Sequence, residues 1–219
     1  MSEEAYEFET LPLSGIDPGT SLLMTGAPHS GARELALRMS TGSPEEGSII
    51  VATNRGAPSV ISDLDGIGIE SDPERLAIVD CTGSGSTDAT KARVTTVGDP
   101  SDLTGIGIRF SDAYQRFADM GVERVRTGVV SLSTLLTFKE LRPVARFTHT
   151  LRGRIASVDG LGIFLIDPAQ HDERAISTIS QFLDGRIEVR DTGAGPEFRC
   201  RGLGDQPHDW VPFETSISE

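Results

Sequence analysis

Apolar runs alternate with amphipathic stretches along most of the chain. "SLLMTG" (residues 21–26), "SIIVAT" (48–53), "RLAIVD" (75–80) and "LGIFLIDP" (161–168) are short runs rich in Val, Ile, Leu and Ala. Each reads as a strand buried on both faces. "VERVRTGVVSLSTLLTF" (122–138) holds another central strand that runs into a Ser/Thr-rich helix start. Between these runs, apolar positions recur at helical spacing. Leu35, Leu37 and Met39 lie among charged residues, and Val60, Ile61 and Leu64 share one side of "APSVISDLDGIG". "SDAYQRFADMG" has a helix start at Ser111 and a glycine stop at Gly121, with Phe110, Tyr114 and Phe117 as core positions. A longer helix is expected over 143–158, carrying Val144, Phe147, Leu151 and Ile155, and an amphipathic helix over 171–185 closes at Gly185.

The remaining segments are punctuation or hairpin. Residues 92–108 carry a short strand and then a turn, and "CTGSGSTDATK" (81–91) reads as a mobile loop. Residues 186–204 alternate polar and apolar around a Gly-rich turn, which predicts an antiparallel hairpin. Residues 205–219 form an extended tail along the domain. Strands separated by helices, with a terminal hairpin, indicate an α/β domain with a mostly parallel central sheet. The organisation expected is an acidic lead-in over 1–12, followed by one domain over 13–219. Crossover connections would put the loop "TGAPHSG" (25–31) at the carboxyl edge of the sheet, where such folds bind ligands.

Composition narrows the partners. The formal net charge is -13, and Lys91 and Lys139 are the only lysines. An acidic surface repels phosphate backbones, so nucleic acid is an unexpected partner. Acidic excess with scarce lysine resembles the cytosolic proteins of salt-loving microbes, in which long-range electrostatics are strongly screened. Aromatics make up 5% of the chain, so the core must rest mainly on aliphatic side chains. Cys81 and Cys200 fit no metal or redox spacing and are expected as buried free thiols. The N-terminus lacks the basic and apolar pattern of a signal peptide, and no run is long enough to span a bilayer. A cytoplasmic protein is expected.

The loop carries the chemical question. Gly26 and Gly31 have the spacing of G-x-x-x-x-G-K-[ST], the glycine cradle for nucleotide phosphates. Ala32 stands at the lysine position and Arg33 at the serine or threonine position. With "GTSLLMTGAPHSGARELALRM" as its opening, the chain resembles the RecA superfamily of P-loop ATPases, in particular its KaiC/RadA-like branch. "SIIVATN" sits at the second core strand, "VRTGVVSLSTLL" is similar to the strand that carries the metal-binding aspartate, and "FLDGRIEVRDTGAGPEFRCRG" resembles the closing hairpin. The resemblance covers roughly residues 13–202. It implies a RecA-like three-layer sandwich, with possible ATP binding at Gly26, Ala27, Pro28, His29, Ser30, Gly31, Ala32 and Arg33.

It also implies which groups should do chemistry, and each position departs from the pattern. The metal-binding aspartate falls at Val130. The acidic water-activating position falls at Thr53, Asn54 and Arg55, which hold no carboxylate. Phosphoryl transfer relies on positioning and charge stabilisation. At about 4 Å and an effective dielectric near 20, one missing lysine charge is worth roughly 4 kcal/mol. Arg33 would project from a different helix face than the lysine, since successive helix residues point about 100° apart. Glu34 suits the helix dipole but would repel a bound phosphate. Backbone N–H groups at the helix start could still attract an anion. The expectation is a non-catalytic domain acting as a regulatory or protein-interaction module, with a protein partner or self-association. Two alternatives stay open: an ATP-binding ATPase with a rearranged loop, and an accessory of DNA recombination or repair, for which a basic stripe is wanting.

Other clusters have plainer explanations. Asp167, His171, Asp172 and Glu173 sit within one short turn, where helix capping is expected over metal binding. The serines of "VVSLST" lack a nucleophile elbow. Arg142, Arg146, Arg152 and Arg154 make a local basic patch, either a solvated face paired with neighbouring acids or a docking surface for an acidic partner.

Overall fold

A computed structural model describes residues 5–83 and 91–216. Residues 84–90, and with them most of the expected loop over 81–91, lie outside the described residues. Nine strands form one sheet in the order β4-β3-β2-β5-β6-β1-β7-β8-β9. They are β1 (Ser21–Thr25), β2 (Gly47–Ala52), β3 (Leu76–Asp80), β4 (Arg93–Thr96), β5 (Val125–Val130), β6 (Leu161–Ile166), β7 (Gly185–Asp191), β8 (Pro196–Arg201) and β9 (Val211–Pro212). All pairings from β4 to β7 are parallel; β8 and β9 join antiparallel.

The apolar runs have the strand character the sequence predicts, and the reason is burial on both sides. Along β2, Ile50 and Ala52 enter one core while Ile49 and Val51 enter the other. β3 divides the same way, with Leu76 and Ile78 opposite Ala77 and Val79. Period-two side chains on an all-apolar strand need a helical layer over each face. One layer is α1 (Ala32–Ser40) and α2 (Ala57–Gly66); the other is α3 (Leu103–Asp119), α4 (Leu132–Phe138), α5 (Leu141–Ala156) and α6 (Glu173–Ser180). The result is a three-layer α/β/α sandwich.

Three segments differ from expectation. The helix expected to start at Ser111 begins at Leu103, within the segment expected as a turn: Asp102 caps it by accepting from the Gly105 amide at 2.8 Å. Gly105 and Gly107 mask the helical pattern because glycine weakens helices in general. Second, α5 begins two residues before Pro143, which is tolerated in a first turn, where no intrahelical N–H bond is lost. Third, the acidic lead-in contributes to the core. Tyr6 is fully buried, and Phe8 and Leu11 join the same cluster.

Tyr6 shows how a charged segment is drawn inside. Its hydroxyl donates to the Asp159 carbonyl at 3.0 Å, and the Arg124 guanidinium lies 4.1 Å from its ring centroid. Arg126 sits beneath, 4% exposed, with Nε 2.7 Å from Glu46 Oε2 and Nη2 donating to the Glu7 carbonyl. Glu46 also accepts from Arg124 at 3.1 Å. The carboxylate thus serves two cations, and those cations hold the N-terminal backbone. The tail is fixed by contacts of its own. Val211 pairs with Phe198, Phe213 is buried against the Phe198 ring, and Trp210 is flanked by Arg190 and Arg199 at 4.0 and 4.4 Å.

Removing one member of a buried ion pair strands the other charge. Glu46→Ala should therefore cost about 3–5 kcal/mol in urea unfolding. A loss within the ordinary surface range of about 0.5 kcal/mol would show that Arg126 does not depend on it.

Candidate functional site

The carboxyl ends of β1, β2, β5 and β6 converge where the sequence places the candidate loop. β1 is buried between β6 and β7, so its last residue delivers residues 26–31 directly to the start of α1. Two glycines fix the path. A Cβ on Gly26 would lie 2.3 Å from the Ala32 Cβ, and Gly31 has φ +81°, a left-handed conformation that favours glycine. His29 shares that region at φ 64°. Within the loop, Ser30 Oγ donates to the Ala27 carbonyl at 2.7 Å and the Ser30 amide donates to the same oxygen at 3.2 Å. Ala27, Pro28 and His29 are exposed, whereas Ser30 and Ala32 are buried.

The three residues that open α1 each turn to the protein. Ala32 lays its methyl against Gly26, where the resemblance would put a lysine stem. Arg33 points toward α2: its Nε is 2.8 Å from Asp63 Oδ2 and its Nη1 3.5 Å from Asn54 Oδ1. Arg55 also approaches Asp63, at 3.8 Å. Arg33 Nη2 is buried without a hydrogen-bond partner. Glu34 is 2% exposed, paired with Arg38 at 2.7 Å, and accepts the Ser216 amide on both carboxylate oxygens at 3.0 Å. The tail thereby crosses the helix start. A Cβ on Gly31 would meet Phe213, Pro196 and Thr215, each at 3.1 Å. A crevice of about 300 Å³ remains beside the loop, and its walls include the acidic residues Glu34 and Asp191.

At the neighbouring strand ends, a valine and the stretch Thr53–Arg55 take the positions where the resemblance expects acids. Val130 ends β5 with 1% exposure. Thr53 Oγ1 donates to the Ser131 carbonyl at 2.7 Å and accepts the Ser131 amide at 2.6 Å, so it stitches the ends of β2 and β5 together. Ser131 Oγ caps α4 through the Ser133 amide, and Ser133 Oγ accepts from the Asp167 amide. The capping roles expected for the Asp167–Glu173 turn are present. Asp167 accepts from the Ala169 amide at 2.9 Å and from Gln170 at 2.6 Å, and Asp172 accepts from the Ala175 amide at 2.8 Å. No group of three metal-ligating residues occurs among the described residues.

Sequence reasoning missed three contributors. Asp63 is an ordinary helix acid until α2 is placed beside α1. Ser216 acts through its backbone, which no side-chain pattern shows, although Trp210 and Phe213 in a polar tail were a signal that it docks. Asp80, at the end of β3, accepts from the Ala57 amide, the Thr82 amide and the Thr82 hydroxyl, and so anchors the start of α2. An aspartate that closes an apolar run was the available clue there.

Comparison with known proteins agrees with this architecture. The KaiC-like protein PH0186 from the hyperthermophilic archaeon Pyrococcus horikoshii OT3 superposes with a TM-score of 0.68, covering 95% of this chain and 92% of that one at 16% identity. The fold is therefore that of the KaiC-like, RecA-type α/β domains. Residues 19–189 match the model of a family of unknown function, DUF7504, and the chain belongs to that family. Comparison with curated proteins gives no match. No helix among the described residues is long and apolar enough to cross a membrane.

Both thiols are buried and free. Burial, aided by the neighbouring Asp80 carboxylate, pushes Cys81 up to about 12; burial alone does the same for Cys200. The folded chain therefore keeps protons that unfolded thiols lose above about pH 8.5. Stability should fall as pH rises from that value toward 12, because the unfolded state binds fewer protons there. The Cys81→Ala/Cys200→Ala variant should show a shallower decline in urea midpoint between about pH 8 and about pH 10.5. An unchanged slope would assign the decline to other groups.

Proposed function

We propose that this chain is a RecA-type domain that works as a regulatory or protein-interaction module and does not hydrolyse ATP. One observation carries the proposal: the start of α1, where a triphosphate would sit, is engaged by the chain itself. A methyl covers Gly26, the only cation in the first turn is bound to Asp63, and a buried carboxylate holds the tail backbone across the helix N-terminus. Glu34 adds to the argument through charge. A negative group at a helix start is favourable by itself, yet it opposes a second anion at the same place. Val130 has no group to hold a metal, and Thr53, Asn54 and Arg55 hold no carboxylate to act as a base. The net charge of -13 fits a salt-rich cytoplasm and a protein partner better than nucleic acid.

A second reading has one observation in its favour. Arg33 Nη2 is a buried donor without a partner, and an anion that reached it would satisfy it. In that reading the chain binds ATP through a rearranged loop, with Arg33 in the lysine's role. Thermal unfolding separates the two. A ligand at a hundred times its dissociation constant adds about 2.7 kcal/mol of stability. With millimolar ATP and magnesium the expected outcome is no shift in Tm and no phosphate release. A shift that Arg33→Ala abolishes would establish the second reading instead.

A further inference from the structure

The helical layer opposite α1 carries a surface that the loop does not use. α3 and α5 border a groove of about 930 Å³ whose lining includes the half-buried Leu103 and the exposed Pro143, above the buried side chains of Phe110, Phe147 and Leu151. Ile108, 54% exposed, stands on its α3 side. On the α5 side are Arg142, Arg146 and Arg154, all exposed and all lining the groove; Arg142 and Arg146 lie one helical turn apart, with Arg154 about two turns further along. The fourth arginine of that sequence cluster behaves differently: Arg152 pairs with Asp184 at 2.7 Å. Among the described residues no carboxylate pairs with Arg142, Arg146 or Arg154. Two acids also border the groove, but Asp112 faces Arg109 at 3.5 Å and Glu140 lies at the N-cap of α5.

Gly107 supplies an independent observation. It occupies the interior of a 17-residue helix, where glycine is unfavourable relative to alanine, and a Cβ there would meet nothing within 4 Å. Packing within this chain does not require the glycine. Its effect is to leave the α3 backbone open to close approach along the groove.

We propose that the α3–α5 groove seats an acidic amphipathic helix of a partner protein. The apolar stripe of that helix would lie on Leu103, Ile108 and Pro143, pass close over Gly107, and set its carboxylates against Arg142, Arg146 and Arg154. Two parallel-sided helices present a trough suited to a third helix. Charge selects the partner: a cationic rim on a chain of net charge -13 attracts an acidic segment, whereas a second copy of the chain brings its own excess of negative charge. The proposal rests on the reading of this chain as a protein-interaction module and gives that module its surface.

The test uses the full chain and two fluorescein-labelled helical peptides of about 15 residues, or roughly 20 Å, enough to cover the groove. One has a leucine stripe on a glutamate background; in the other, lysine replaces glutamate. Saturable anisotropy is expected with the glutamate peptide alone. Its affinity should fall at least about tenfold, some 1.4 kcal/mol, in Arg142→Glu/Arg146→Glu, and comparably in Gly107→Leu, which fills the open space. Circular dichroism and Tm establish that both variants fold. No saturation by about 1 mM peptide overturns the proposal, that limit corresponding to roughly 4 kcal/mol of binding. Equal binding of the lysine peptide, or unchanged affinity in both variants, overturns it as well. Sedimentation that shows a dimer abolished by Gly107→Leu assigns the groove to a second copy and also overturns it. Failure of the wider reading is separate, since it would appear as ATP-dependent stabilisation whether or not the peptide binds.

Discussion

In a sheet covered on both faces an unsatisfied polar group along a strand is costly, and this constraint organises the molecule. Every residue of β1, β2, β3, β5 and β6 is buried. Most of the few polar side chains there are matched, Ser21 Oγ at the start of β1 being the exception. Thr127 shares a hydrogen bond with the Tyr114 hydroxyl, and Arg126 is held by Glu46. Chemistry is driven to the strand ends, because only there can side chains meet both water and backbone donors. At the carboxyl ends the groups present are mostly hydroxyls and capping aspartates. They bond to the protein's own turns, and these bonds define the edge as architecture.

The start of α1 illustrates how such a position can be occupied from within. Glu34 needs partners because an ionised carboxylate is expensive to bury alone. Arg38 supplies one from the next helical turn, and the amide of Ser216 supplies another from almost 200 residues away in sequence. The same arrangement joins the N-terminal half of the sheet to the last described residue. Closure of the loop and anchoring of the tail are one feature. An anion approaching Gly31 would have to contend with a carboxylate, a backbone already hydrogen-bonded there, and the side chains of Phe213 and Thr215.

The buried strands were legible in the sequence because continuous aliphatic runs have few alternatives in a chain of this length. The loop between β1 and α1 was legible from Gly26 and Gly31, whose backbone demands are local. Contacts that depend on the packing of separate elements were not. Asp63 becomes the partner of Arg33 only after α2 is laid beside α1, and Tyr6 looks peripheral until Arg124 and Arg126 draw it inward. The beginning of α3 was hidden by Gly105 and Gly107, since local propensity there opposes the tertiary outcome. The basic cluster of α5 was visible as charge, yet its division into a paired Arg152 and three unpaired neighbours is a property of the fold.

Trp210 is the sole indole in the chain, with two guanidinium groups against its ring at the base of the strand that leads to Ser216. Undocking would take the ring away from both cations, so the protein carries a built-in optical gauge of whether its C-terminal segment is docked. Departure of that segment from the hairpin can be followed without a label, against a background free of any other tryptophan.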